Sequence, residues 1–222
     1  GRTGDFDMAL IFFELIALFS YWHLKTGKKW QWWIFGIALG LAGGFWIKSL
    51  MITPVFLVIF FDWLITNRSR KLIKRLLLAF LLSLDFISPW LVGNYFFLRE
   101  VFVHDFLQTQ IADRVKPSFG NHLRPAWWYL WFLSWSIAPF FYLSILAIIS
   151  SFKKFKKNSL PLLWFLTILF LFSSVHSKMH WHILPAVIPL LMILANFVWG
   201  LAKERLSIKL VSLGLLIVGF YP

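Results

Sequence analysis

The sequence predicts an all-α fold: a polytopic bundle of about seven transmembrane helices, a truncated eighth, and a further helix lying in the outer interface. Three observations predict it. Of 222 residues, 60% are apolar, 20% aromatic and only 14% charged, a balance foreign to water-soluble domains. Apolar runs of spanning length recur between charged loops, and a bilayer core takes roughly 20 residues of helix. Lipid offers backbone amides no partner, and the runs are too long for barrel strands of about ten residues, so each crossing is a helix.

In chain order the runs are Phe6 to Leu24, Trp30 to Ile47, Ser49 to Ile65, Leu76 to Val92, Trp127 to Ile149, Ser159 to Ser173 and Ile183 to Leu201, with a short stub from Leu210 to Phe220. Each is bounded by charge. One set of loops holds Lys25, Lys28 and Lys29, then Arg68, Arg70, Lys71, Lys74 and Arg75, then Lys153, Lys154, Lys156 and Lys157, then Lys203, Arg205 and Lys209, opposed only by Glu204. The alternate set holds seven cations, Arg2, Lys48, Arg99, Arg114, Lys116, Arg124 and Lys178, among five acids. Basic residues resist translocation, so the first set is cytoplasmic and the second external. Five of the six histidines also fall outside, which places the chemistry there.

The formal charge of +13 serves topology here and not nucleic-acid binding, because the cations sit between long apolar runs. The absence of cysteine excludes disulfide frameworks and Cys-based zinc or redox sites. The chain opens on Gly1 without a signal peptide and stops inside an apolar run, so it reads as an internal fragment of one membrane-embedded domain spanning 1–222, with parts missing at both ends.

Four external features carry the functional reading. Asp5 and Asp7 precede the first span, where either carboxylate can cap the helix or the pair can ligate a divalent cation through oxygen. Glu14 lies seven residues beyond Asp7 on the same face, and a carboxyl inside a span faces protein or a watery cavity. Lys48 sits in the hinge Gly43-Gly44-Phe45-Trp46-Ile47-Lys48-Ser49; it either snorkels or, as a lone cation on the cation-poor side, binds an anion such as phosphate. From Asn94 to Ala126, Leu98, Phe102 and Phe106 form a row beside Val103, Leu107, Ile111 and Val115, the stripe of an interfacial helix, with Arg114 at its edge as a fork for lipid phosphate. In Val175-His176-Ser177-Lys178-Met179-His180-Trp181-His182, Lys178 is a second rim cation, and the histidines lack the His-Glu-x-x-His zinc pattern. Asp62 and Asp85 read as helix-packing or interfacial groups.

Three stretches, Arg2 to Phe13, Gly40 to Lys48 and Ser174 to Pro185, together resemble the GT-C class of polyprenyl-phosphate-sugar-dependent glycosyltransferases, in its protein O-mannosyltransferase and lipid A aminoarabinose transferase group. That family's pattern has an external Asp before a helix, a Leu-Thr-Lys-Gly hinge, an external Arg in an interfacial helix and a Ser-x-x-x-Ser-Lys-x-x-x-Tyr-x-x-Pro segment. Asp7, Lys48, Arg114 and Lys178 match these positions; Ser49 stands where Gly is usual and His182 where Tyr is usual.

The resemblance implies a multi-pass inner-membrane hexosyl- or pentosyltransferase with its active face extracytoplasmic. Its partners would be a polyprenyl-phosphate-linked sugar donor, a lipid or protein acceptor and membrane lipids, with no nucleic acid, no organic cofactor and at most a divalent cation on Asp7. Lys48, Arg114 and Lys178 would bind the lipid phosphate, Asp7 would position sugar, acceptor or cation, and His182, Glu14 and Asp5 would touch substrate. The family's general base lies in an upstream external loop, so the chain alone is expected to be inactive. A transporter or flippase for a lipid-linked sugar is the alternative, disfavoured by the absence of a convincing internal repeat.

Overall fold

The computed structural model describes residues 6–27, 29–107, 124–138, 140–175 and 178–203. Among these there are helices and short 3-10 turns and no strand, and the chain divides into two compact units, Gly1–Leu123 and Arg124–Pro222. The all-α membrane architecture is as the sequence predicts. Five stretches are long and apolar enough to cross a bilayer, or up to six if one bent helix pair is a single span.

In the first unit, α1 (Asp7–Thr26) and α2 (Trp30–Lys48) form an antiparallel pair. Their backbones meet closely because α2 presents glycine: a Cβ added at Gly40 would stand 2.6 Å from the amide nitrogen of Ala17. In lipid, where apolar surface gives helices no net reason to associate, such close approach supplies the packing attraction. The chain then turns through a 3-10 segment, Ser49–Ile52, into α3 (Thr53–Thr66), whose Pro54 sits in the first turn, where its missing N–H costs nothing. Residues 30–66 form one apolar stretch of 37 residues by length, yet the stretch doubles back. Lys48 at its turn bonds the first residue of α1, while Asp62 on α3 bonds Lys25 near the last. The separate runs Trp30 to Ile47 and Ser49 to Ile65 are thus two antiparallel arms.

The fourth helix departs from expectation. The apolar run Leu76 to Val92 is only the middle of α4, Arg70–Leu107, 38 residues long with Pro89 inside and a break at Arg99, where φ is 45° and ψ −122°. The basic residues 70–75 and residues 94–107 are helical because their backbone bonds close locally whatever the side chains prefer. The Arg99 break joins two helices, so a separate helix begins beside Leu98 as expected and runs on to Leu107. The remainder of the expected stripe lies outside the described residues. Asp85, read as a helix-packing or interfacial group, is exposed on α4.

In the second unit, the single span expected from Trp127 to Ile149 is two helices, α5 (Trp128–Ser136) and α6 (Phe141–Lys153), bent by 115°. The hydroxyls of Ser134 and Ser136 donate back to the carbonyls of Trp131 and Phe132 near the end of α5, a competition that bends helices. Then come α7 (Phe155–Ser174), a 3-10 turn (His180–Ile183) and α8 (Leu184–Lys203), with Leu162, Ile168, Ala186 and Ile193 buried at the contacts of these helices. The stub Leu210 to Phe220 lies outside the described residues.

Candidate functional site

Polarity along α1 organises the first unit. Asp7, Glu14 and Tyr21 recur at seven-residue spacing, hence on one helical face, and are 3%, 0% and 0% exposed. At the end of α1 away from the basic loops, the Lys48 ammonium donates to Asp7 Oδ1 at 2.6 Å. Two residues that the sequence offers as separate ligands, 41 positions apart, are therefore one ion pair. Asp7 Oδ2 is buried with no hydrogen-bond partner among the described residues, so this carboxylate can still accept from a hydroxyl or an amine.

The backbone beside the pair is strained. Ser49 closes α2 at φ 46° and ψ −118°, and it and Arg99 are the non-glycine residues with positive φ among the described residues. The left-handed half of φ space is where a Cβ collides with neighbouring carbonyls, costing about 1–3 kcal/mol. The resemblance has glycine at this position, and the dihedral is the physical reason. Ser49 accepts strain that a glycine would not, and the hinge geometry that carries Lys48 onto Asp7 persists.

In the second unit, Lys178 lies between α7 and α8, at the end opposite Lys153 and Lys203 of the same unit. It is 4% exposed, and its ammonium donates to the carbonyl oxygen of Val175 at the C-terminal end of α7. No carboxylate pairs with it among the described residues. Burial pushes its pKa below the ordinary lysine value. The connector around it is pinned by aromatic groups: Tyr129 Oη donates to the Met179 carbonyl at 3.1 Å, and the His180 ring meets Trp128 and Phe132 edge-on, each at 5.2 Å. His182, placed where tyrosine is usual, stacks on Phe172 at 5.4 Å, so the position keeps an aromatic surface.

Glu14 is fully buried two turns below Asp7. Asp5 and Arg114 lie outside the described residues. Of the pair read as a possible divalent-cation ligand, Asp5 lies outside the described residues, and one Asp7 oxygen accepts from the Lys48 ammonium. Asp62, read from the sequence as a helix-packing or interfacial group, packs helices, though its partners were not legible. Its carboxylate, 0% exposed, accepts from Tyr21 Oη at 2.7 Å and Lys25 Nζ at 2.6 Å, which ties the cytoplasmic ends of α1 and α3. Its position inside an apolar run was the signal.

Fold and site together define a polytopic helical membrane protein that holds partly desolvated charge at the ends of its helices away from the basic loops. Comparison with known proteins narrows that class. No family model matches the sequence. The chain is 28% identical over 224 residues to an undecaprenyl phosphate-alpha-4-amino-4-deoxy-L-arabinose arabinosyl transferase of Pectobacterium atrosepticum, covering 93% of this chain and 39% of the relative. It is 27% identical over 187 residues to the transferase of the same name from Photorhabdus laumondii, covering 80% and 33%. An uncharacterized protein of Aquifex aeolicus matches at 27% over 88% of this chain and 39% of its own length.

Among solved structures, ArnT from Cupriavidus metallidurans bound to undecaprenyl phosphate superposes with a TM-score of 0.75 and 21% identity, over 95% of this chain and 38% of that one. The chain shares the fold of the matched part of that transferase. It spans under half the length of the relatives it matches. The resemblance read from the residues and the relatives found by comparison are the same group.

Proposed function

We propose that the whole protein is an integral inner-membrane glycosyltransferase that moves a sugar from a polyprenyl-phosphate donor to an acceptor hydroxyl or phosphate on the extracytoplasmic side. The observation that carries this reading is Lys178: a cation nearly stripped of water, held by a backbone carbonyl and without a carboxylate among the described residues. Such a group has little to gain from solvent and much to gain from an arriving anion. The relatives support the choice of anion, since their names specify an undecaprenyl phosphate sugar and the ArnT structure holds undecaprenyl phosphate.

In this reading the sugar's anomeric carbon lies at head-group depth, and an acceptor deprotonated by a carboxylate attacks it with inversion while the lipid phosphate leaves. Negative charge grows on the phosphate as the bond breaks, so Lys48, Arg114 and Lys178 lower the barrier by attraction that strengthens in the transition state. Asp7 positions Lys48 and offers Oδ2 to the sugar or the acceptor.

The test is transfer from an undecaprenyl-phosphate-linked sugar by the full-length protein in detergent, where vesicular transport has no meaning. Lys178→Ala is expected to lower turnover about a hundredfold, the effect of roughly 3 kcal/mol of lost transition-state stabilisation. Unchanged turnover overturns the role, and absence of transfer by the wild type overturns the reaction. The pH profile adds a second signature. A lysine with a lowered pKa becomes neutral earlier as pH rises, so donor binding weakens below the pH at which an ordinary lysine titrates. Lys178→Arg, always charged, holds binding to higher pH.

A further inference from the structure

The first unit carries a second built feature at its other end, which the transferase reading does not use. Between α3 and α4 runs an apolar cleft of about 130 Å³, lined entirely by hydrophobic side chains. Ile37 and Leu41 of α2 form its back wall. At one end the Phe56 and Phe80 rings meet edge-on at 5.5 Å; at the other, Trp63 Nε1 donates to the Ser69 carbonyl at 3.4 Å. Phe56 to Trp63 is seven helical steps, so the cleft extends about 10 Å along α3, in the cytoplasmic half of the unit. Phe60 and Leu77, at 48% and 54% exposed, leave its side open to the bilayer.

The rim is strongly basic. Arg68, Arg70, Lys71, Lys74 and Arg75 fall within eight residues at the cytoplasmic end of the cleft, with no acid among them. Two of the five are engaged: Arg68 Nε donates to the Leu64 carbonyl at 2.7 Å, and the Arg75 guanidinium lies 5.0 Å over the Trp30 ring. Arg70, Lys71 and Lys74 are exposed and have no ion-pair partner among the described residues. Arg70 precedes Ile73 by three positions and Leu77 by seven, which places it on the flank of the lining face.

We propose that this cleft binds an anionic phospholipid of the cytoplasmic leaflet, with one acyl chain against Phe60, Trp63, Ile73 and Leu77 and the phosphate among Arg70, Lys71 and Lys74. The chemistry matches at both ends. A chain segment fills an apolar slot that water does not wet, and clustered cations at the cytoplasmic boundary attract anionic head groups. The lipid would wedge α3 against α4, which the Phe56–Phe80 edge contact also joins.

The test uses the full-length protein reconstituted with phosphatidylglycerol or phosphatidylcholine carrying brominated acyl chains, which quench tryptophan on contact. Subtracting the Trp63→Phe signal from the wild type isolates Trp63. Phosphatidylglycerol is expected to quench that component at several-fold lower lipid fraction than phosphatidylcholine, with the preference shrinking in high salt. Neutralising Arg70, Lys71 and Lys74 to Gln should reduce the preference by roughly fivefold per cation. Retention of phosphatidylglycerol by the wild type but not the triple variant in native mass spectrometry reads the same site without altering Trp63. Equal quenching by the two lipids overturns the head-group assignment. A Trp63 component that neither lipid quenches overturns the site, since the cleft is then filled by protein.

Discussion

Helix α1 carries an ion pair at each end, each with an N–O distance of 2.6 Å, and the two differ in how completely they are satisfied. At the cytoplasmic end Asp62 is fully buried and accepts from Tyr21 and Lys25, while Lys25 also donates to Thr66 Oγ1 at 3.0 Å. At the external end Asp7 accepts, among the described residues, from Lys48 alone and keeps a buried oxygen without a partner there. A saturated buried network fixes helices against each other; an unsaturated one is stable only if something else completes it. The comparison separates a lock from an unsaturated pair that uses the same residue types.

The largest expected effect is at the lock. Asp62→Ala strands the Lys25 ammonium and the Tyr21 hydroxyl in a buried site, and is expected to cost about 3–5 kcal/mol of stability. Thermal unfolding of the full-length protein in detergent checks it, and a shift no greater than that of an exposed substitution breaks the distinction.

The reverse pattern is expected outside. Lys48→Ala should lower turnover about a hundredfold, roughly 3 kcal/mol of barrier, with a smaller loss of stability than Asp62→Ala, because it strands one buried group, the Asp7 carboxylate, where Asp62→Ala strands two. Measuring turnover and unfolding on one preparation sharpens the contrast; equal losses in both would make the external pair a second lock. The smallest effect is at the hinge. Ser49→Gly removes the penalty of a side chain at φ 46° and should raise stability by about 1 kcal/mol, read as a higher unfolding midpoint with turnover retained.

The membrane fold was legible because lipid converts apolar length into helix, so α1, α2 and α3 begin and end within a few residues of where charge interrupts the runs. Their partners were not. The Asp7–Lys48 and Lys25–Asp62 pairs link residues 41 and 37 apart, and cation bias assigns a residue to a side of the membrane without assigning its neighbour. The α4 boundaries were missed for a related reason: a hydrophobic window stops at Arg75 and Val92, whereas backbone hydrogen bonding does not. The break between α5 and α6 had a signal in the sequence, Pro139, three positions after Ser136, a residue type that carries no amide hydrogen.

One consequence follows from the position of the two α1 pairs. Asp7 and Lys25 are eighteen helical steps apart, about 27 Å, close to the roughly 30 Å hydrocarbon thickness of a bilayer. The pairs therefore act as floats at the two water boundaries, a built-in gauge of membrane thickness. In a thinner bilayer the helix would tilt, in a thicker one the lipid would thin around it, and the external ammonium would stay level with the phosphates of the leaflet it faces.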